Sequence, residues 1–222
     1  MPWKATDVIL AIAILVFVSI AVIAIYIAVG GGVVSGVGFS ITGGSIYLFV
    51  LLTCWALGPF RYGVSLRALG LKAPAAGRAS NSLPAGVVVA SVAFTGLYVG
   101  LMSQLGWDSF VPDPLPDEID LDGTWAILAF GVVAVGLGPL AEEVFFRGFL
   151  YSGFKDRLGM WRSAVLSSFL FALMHVDPGV LIPFFFTGML LALLYERTGS
   201  VWSCVVVHAT QNALAFAITV WG

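Results

Sequence analysis

Charge is what this sequence has least of. Asp, Glu, Lys and Arg together make up 10% of 222 residues, against roughly 25% in soluble domains. With 60% hydrophobic residues and a mean hydropathy of +1.04, a soluble globular domain is excluded. A basic excess is missing too: 10 Lys and Arg stand against 12 Asp and Glu, a net charge of -2. The basic residues are scattered through short loops with no aromatic-interleaved stripe, which excludes nucleic-acid binding. Only two cysteines occur, Cys54 and Cys204, in separate apolar segments and without CxxC spacing. A disulfide framework is therefore excluded, and the redox compartment is left open. No internal repeat is visible.

What is present is a series of apolar blocks, each near or above the roughly 17 to 25 residues that cross a hydrocarbon core. They predict an all-α, polytopic transmembrane bundle of about seven helices forming one integral membrane domain over 1–222. The helices fall near 8–29, 44–60, 85–105, 124–152, 161–176, 179–196 and 200–220. Gly58-Pro59, Pro74, Pro84, the Pro112, Pro114, Pro116 run, Asp177-Pro178-Gly179 and Thr198-Gly199 punctuate them. The first block follows Lys4 but is longer than a signal-peptide core and lacks an A-x-A-like site, so it is expected to be retained.

Loop charge orients the bundle. The loop from Arg61 to Pro84 holds Arg61, Arg67, Lys72 and Arg78 and no acid, whereas that from Gly106 to Gly123 holds six acids and no base. The positive-inside rule puts the first in the cytoplasm and the second outside. Lys4, Lys155, Arg157 and Arg162 then also fall inside, as does the amino terminus. The expected location is the plasma (inner) membrane of a prokaryote. Glu118, Asp120, Asp122 and Gly123 faintly resemble a calcium loop, but the position that needs a closing Glu is Ala129. A solvated acidic loop is the expectation.

Three polar clusters interrupt the apolar blocks. The fourth helix carries Glu142, Glu143 and Arg147. Insertion scales charge about 2.5–3.5 kcal/mol for each such residue at a helix centre, so all three need partners or a task. Glu143 and Arg147, four apart, can pair along one helical face. Glu142 lies about 100° around the helix and remains surplus. The fifth helix ends in Phe171 and His175, and the seventh holds His208 and Asn212 on one face. Phe171, one turn before His175, is placed to fix its imidazole.

At 1.5 Å per residue, Glu142 lies roughly 15 Å, His175 roughly 21 Å, His208 roughly 12 Å and Asn212 roughly 18 Å from the inner helix ends, which predicts one shared layer. Taken singly, an intrahelical ion pair is often a clamp, a histidine a structural donor and an asparagine interhelical glue. Their joint occurrence with a surplus carboxylate points to chemistry. Glu142, His175 and His208 also make a two-histidine, one-carboxylate donor set for zinc, although the spacing is unlike HExxH. No cofactor is the favoured expectation, with zinc as the alternative.

At these residues the chain resembles the CPBP family, the CAAX-processing endopeptidase and bacteriocin-immunity group, also called Abi or type II CAAX prenyl endopeptidase-like proteins. Its EExxxR motif matches Glu142, Glu143 and Arg147, FxxxH matches Phe171 and His175, and HxxxN matches His208 and Asn212. The resemblance covers about 124–217, the expected catalytic core, with a fainter touch at Leu69-Gly70-Leu71-Lys72. It implies an intramembrane endopeptidase in which Glu142 and His175 activate a water, His208 and Asn212 stabilise an oxyanion, and Glu143 and Arg147 support the site. The implied partners are the lipid bilayer and a membrane-associated protein or peptide substrate, prenylated or otherwise lipidated. The competing readings are a non-proteolytic immunity or scaffold protein and, with less support in the absence of repeated halves, a transporter.

Overall fold

A computed structural model describes residues 1–28, 34–74, 82–112 and 119–221. Helix α1 spans Ala5–Ala28, α2 Gly36–Trp55 and α3 Ser82–Gln104. A long helical run then begins with α4 (Thr124–Gly131), passes through a π-helical turn at Val132–Leu137 into α5 (Gly138–Glu143), and through a second at Val144–Tyr151 into α6 (Ser152–Leu173). Helices α7 (Pro178–Thr198) and α8 (Val201–Trp221) complete the bundle. Among the described residues, six helical runs are long and apolar enough to cross a membrane: Ala5–Ile25, Gly36–Phe60, Ser82–Gln104, Thr124–Leu173, Pro178–Thr198 and Val201–Trp221. The protein is an all-α integral membrane protein.

The run of 50 residues from Thr124 to Leu173 would stretch about 75 Å if straight, more than twice the hydrocarbon thickness. It is not straight. Gly159 adopts φ 76° and ψ 170°, a conformation open in practice to glycine alone, and the chain reverses there. The Ser167 hydroxyl consequently donates to the Phe146 carbonyl at 2.9 Å, across 21 residues that in one continuous helix would lie roughly 30 Å apart. The six runs are thus seven helical segments among the described residues.

Polar contacts at the two ends of the bundle agree with that count. At one end Arg61 pairs with Asp7 at 3.2 Å and Lys155 with Glu196 at 2.6 Å, the amino-terminal ammonium meets Asp156, and Ser200 donates to the Lys72 carbonyl at 2.6 Å. At the other, the two-residue strands β1 (Val34–Ser35) and β2 (Ile119–Asp120) pair in parallel, and Gly179 lies against the backbone of Val111 and Pro112. Cys54 and Cys204 are both buried and free.

Two boundaries differ from the sequence reading. Helix α2 begins at Gly36 rather than near 44, because Ser35 caps it through the Gly38 amide at 3.1 Å and the glycine-rich turn after it packs against Val133 and Leu137. Packing here overrides low intrinsic propensity. Helix α6 stops at Leu173, so His175 lies in the turn that follows rather than inside the helix. Asp177 starts α7 by accepting from the Gly179 amide at 2.7 Å. Of the acidic loop, Glu118 lies outside the described residues, whereas Ala129 sits within α4.

Candidate active site

The site forms where α5 and the π-helical turn after it face α2, α7, α8 and the end of α6. Glu143 and Arg147 are fully buried. Arg147 donates from Nη1 to Glu143 Oε1 at 2.7 Å and from Nη2 to the Gly188 carbonyl of α7 at 3.1 Å. Its guanidinium also lies over the Phe171 ring at 4.8 Å, a cation–π contact that suits a desolvated Arg.

Glu143 Oε1 has a second donor. His208 Nδ1 lies 2.9 Å from it, and since a carboxylate paired with Arg147 can only accept, Nδ1 carries a proton. That leaves Nε2 facing Glu142, 3.8 Å from Oε2, beyond direct hydrogen-bond range and right for a bridge by one small polar group. Glu142 Oε2 has no hydrogen-bond partner among the described residues. Glu143 is neutralised by Arg147 and held by His208, so Glu142 is the carboxylate in excess.

The opposite oxygen of Glu142 is held by a residue that the sequence motifs do not reveal. Tyr47 of α2 donates its hydroxyl to Glu142 Oε1 at 2.8 Å, across 95 residues. The one signal for it in the sequence is general: a phenol within an apolar block must find a partner when buried.

His175 holds a hydrogen bond between Nδ1 and the Phe171 carbonyl at 2.9 Å. A carbonyl only accepts, so the proton is again on Nδ1 and Nε2 carries the lone pair. The ring sits edge-on to Phe184 at 4.5 Å and Phe171 at 5.1 Å. Phe171 also meets His208 at 5.6 Å. Among the described residues, this phenyl ring rather than a hydrogen bond joins His175 to the carboxylates.

Asn212 has a different partner. Its Nδ2 donates to the Ala134 carbonyl at 2.8 Å. In the π-helical turn the Gly138 amide reaches back five residues to Val133, and the next donor in that register belongs to Pro139, which has none. Asn212 supplies the missing hydrogen bond and retains a second Nδ2 hydrogen. Among the described residues no three His, Cys, Asp or Glu side chains are gathered as metal ligands, and both imidazole Nδ1 atoms are already engaged.

Crossing helices that bury a carboxylate–imidazole cluster beneath aromatic rings define a polytopic membrane protein with an enzyme-like interior site. A family model described as type II CAAX prenyl endopeptidase Rce1-like matches residues 124–214. Those residues, which hold all three motifs, carry the chain's similarity to that family. The chain is also 27% identical over 92 residues to a protein of Bacillus subtilis named as a putative membrane peptidase, YdiL, with 41% of this chain and 38% of that one aligned. The match thus spans well under half the relative's length. No solved structure matches the chain significantly.

Proposed function

We propose that the protein is an intramembrane endopeptidase that hydrolyses a peptide bond in a membrane-associated protein or peptide, with prenylated or otherwise lipidated chains as the first class to test. The observation that carries the reading is Glu142: a carboxylate not neutralised by the ion pair, with one oxygen held by Tyr47 and the other 3.8 Å from His208 Nε2.

In this mechanism Glu142 Oε2 is the general base. It takes a proton from water as the water oxygen attacks the substrate carbonyl carbon, while His175 Nε2 accepts from the second water hydrogen. The carbonyl oxygen gains the charge. His208, protonated on both nitrogens and steadied by Glu143, donates to that oxygen together with the second Nδ2 hydrogen of Asn212. Glu142 then returns its proton to the leaving nitrogen as the C–N bond breaks, which gives a carboxylic acid, its hydroxyl still held by His175 Nε2, and an amine. Arg147 holds the Glu143 carboxylate in place through the 2.7 Å pair. The zinc alternative, with Glu142, His175 and His208 as ligands, has no part in these steps; metal analysis of active, chelator-treated protein tests it.

The amino terminus is assigned to the cytoplasmic side of a prokaryotic plasma membrane on loop charge, which reporter fusions to each loop check. For function the test is cleavage of a labelled membrane peptide by purified protein in detergent, with a Glu142→Gln control. A protein that binds such peptides and leaves them intact answers to the scaffold or immunity reading, and solute flux in liposomes to the transporter.

A further inference from the structure

Tyr47 belongs to none of the three motifs and lies outside the stretch that matches the family, 124–214. It comes from α2, and its hydroxyl donates to Glu142 Oε1 at 2.8 Å. We infer that Tyr47 is a positioning residue: it occupies Oε1 of Glu142 and so fixes the carboxylate with Oε2, the oxygen facing His208 Nε2, as the one that takes the proton. This inference rests on the reading of Glu142 as the general base.

Three observations meet on this contact. Glu142 has two equivalent oxygens and, as a carboxylate, can only accept; a donor committed to one of them breaks the equivalence and selects the rotamer. The approach of Tyr47 is also built into α5. A Cβ on Gly138, one turn before Glu142, would come within 3.1 Å of the Tyr47 ring and of the Val133 carbonyl, so the absence of a side chain at residue 138 lets the ring cross the helix this closely. Finally, the other face of Glu142 is set independently, since His208 is locked by Glu143 at 2.9 Å. The carboxylate is held between a phenol from α2 and an imidazole from α8. Among the described residues, the charged and titratable groups about it are these two, Glu143 and Arg147 on its own helical run, and His175, which shares its water in the mechanism above.

The test is Tyr47→Phe, which keeps the ring and removes the hydroxyl, assayed with the labelled membrane peptide beside Glu142→Gln and Tyr62→Phe. Tyr62 donates to Asp7 just beyond the end of α2 and away from the site, so its variant controls for loss of a phenol. Expected for Tyr47→Phe is a kcat lower by roughly 10- to 100-fold, the scale of one charge-assisted hydrogen bond, with KM within about twofold. Expected too is a displaced acidic limb of the kcat–pH profile. A merely structural loss scales the curve without moving it. If Glu142→Gln is inactive while Tyr47→Phe keeps its kcat, or loses kcat with an unmoved profile, the positioning role is overturned and the general base stands. If Glu142→Gln is itself fully active, the general base falls and the positioning role with it.

Discussion

His208 Nδ1 meets Glu143 Oε1 at 2.9 Å, on the oxygen that Arg147 also reaches at 2.7 Å. One buried carboxylate oxygen therefore orients the imidazole of α8 and anchors the guanidinium of its own helical run. Fixing the His208 ring in this way turns Nε2 toward Glu142, and it adds to the Arg147 pairing a second reason why the two adjacent glutamates have separate roles.

Removing the cation should cost more than removing the pair. Arg147→Met leaves Glu143 buried without its counter-charge, a loss of about 3–5 kcal/mol, read as a lower unfolding temperature in detergent. Adding Glu143→Gln to that variant should recover much of the loss without restoring cleavage, because His208 has then lost its anchor.

His208→Ala should lower kcat by roughly 100-fold or more, on the scale of a lost oxyanion donor. Steady-state cleavage kinetics with the labelled peptide measure it. His208→Gln, which retains a donor but cannot carry the imidazolium charge, should recover only part.

The Asn212 bond to Ala134 makes a prediction about backbone. Asn212→Ala removes the donor that stands in for Pro139, at about 1–3 kcal/mol. Pro139→Ala supplies an amide to the same carbonyl and should restore thermal stability in the Asn212→Ala background. Cleavage should stay low in the double variant, which separates the structural duty of Asn212 from its oxyanion duty.

Gly159→Ala tests the hairpin. No atom would touch the new Cβ, so the cost is the backbone conformation alone, about 1–3 kcal/mol. Unfolding in detergent reads it, with kcat per folded molecule unchanged.

The helical bundle was legible because lipid imposes long apolar blocks and short loops. Glu143 with Arg147 was legible for a similar reason: a four-residue spacing is a contact on any helix. Legibility ended where the chain departs from regular helix. The π-helical turn before Pro139 gives Asn212 its carbonyl partner, and the end of α6 at Leu173 puts His175 in a turn. No periodicity encodes either. Tyr47 was hidden for another reason, since its partner is 95 residues away on another helix.

The central claim is that Glu142 is the base, and cleavage by Glu142→Gln protein tests it most directly. The substitution preserves shape and can still accept from Tyr47, so the variant should insert and unfold like the parent. The purified protein should cut a labelled membrane-associated peptide, and the Glu142→Gln protein should be slower by roughly 100-fold or more. A folded Glu142→Gln protein that cleaves at the parent rate would contradict the account.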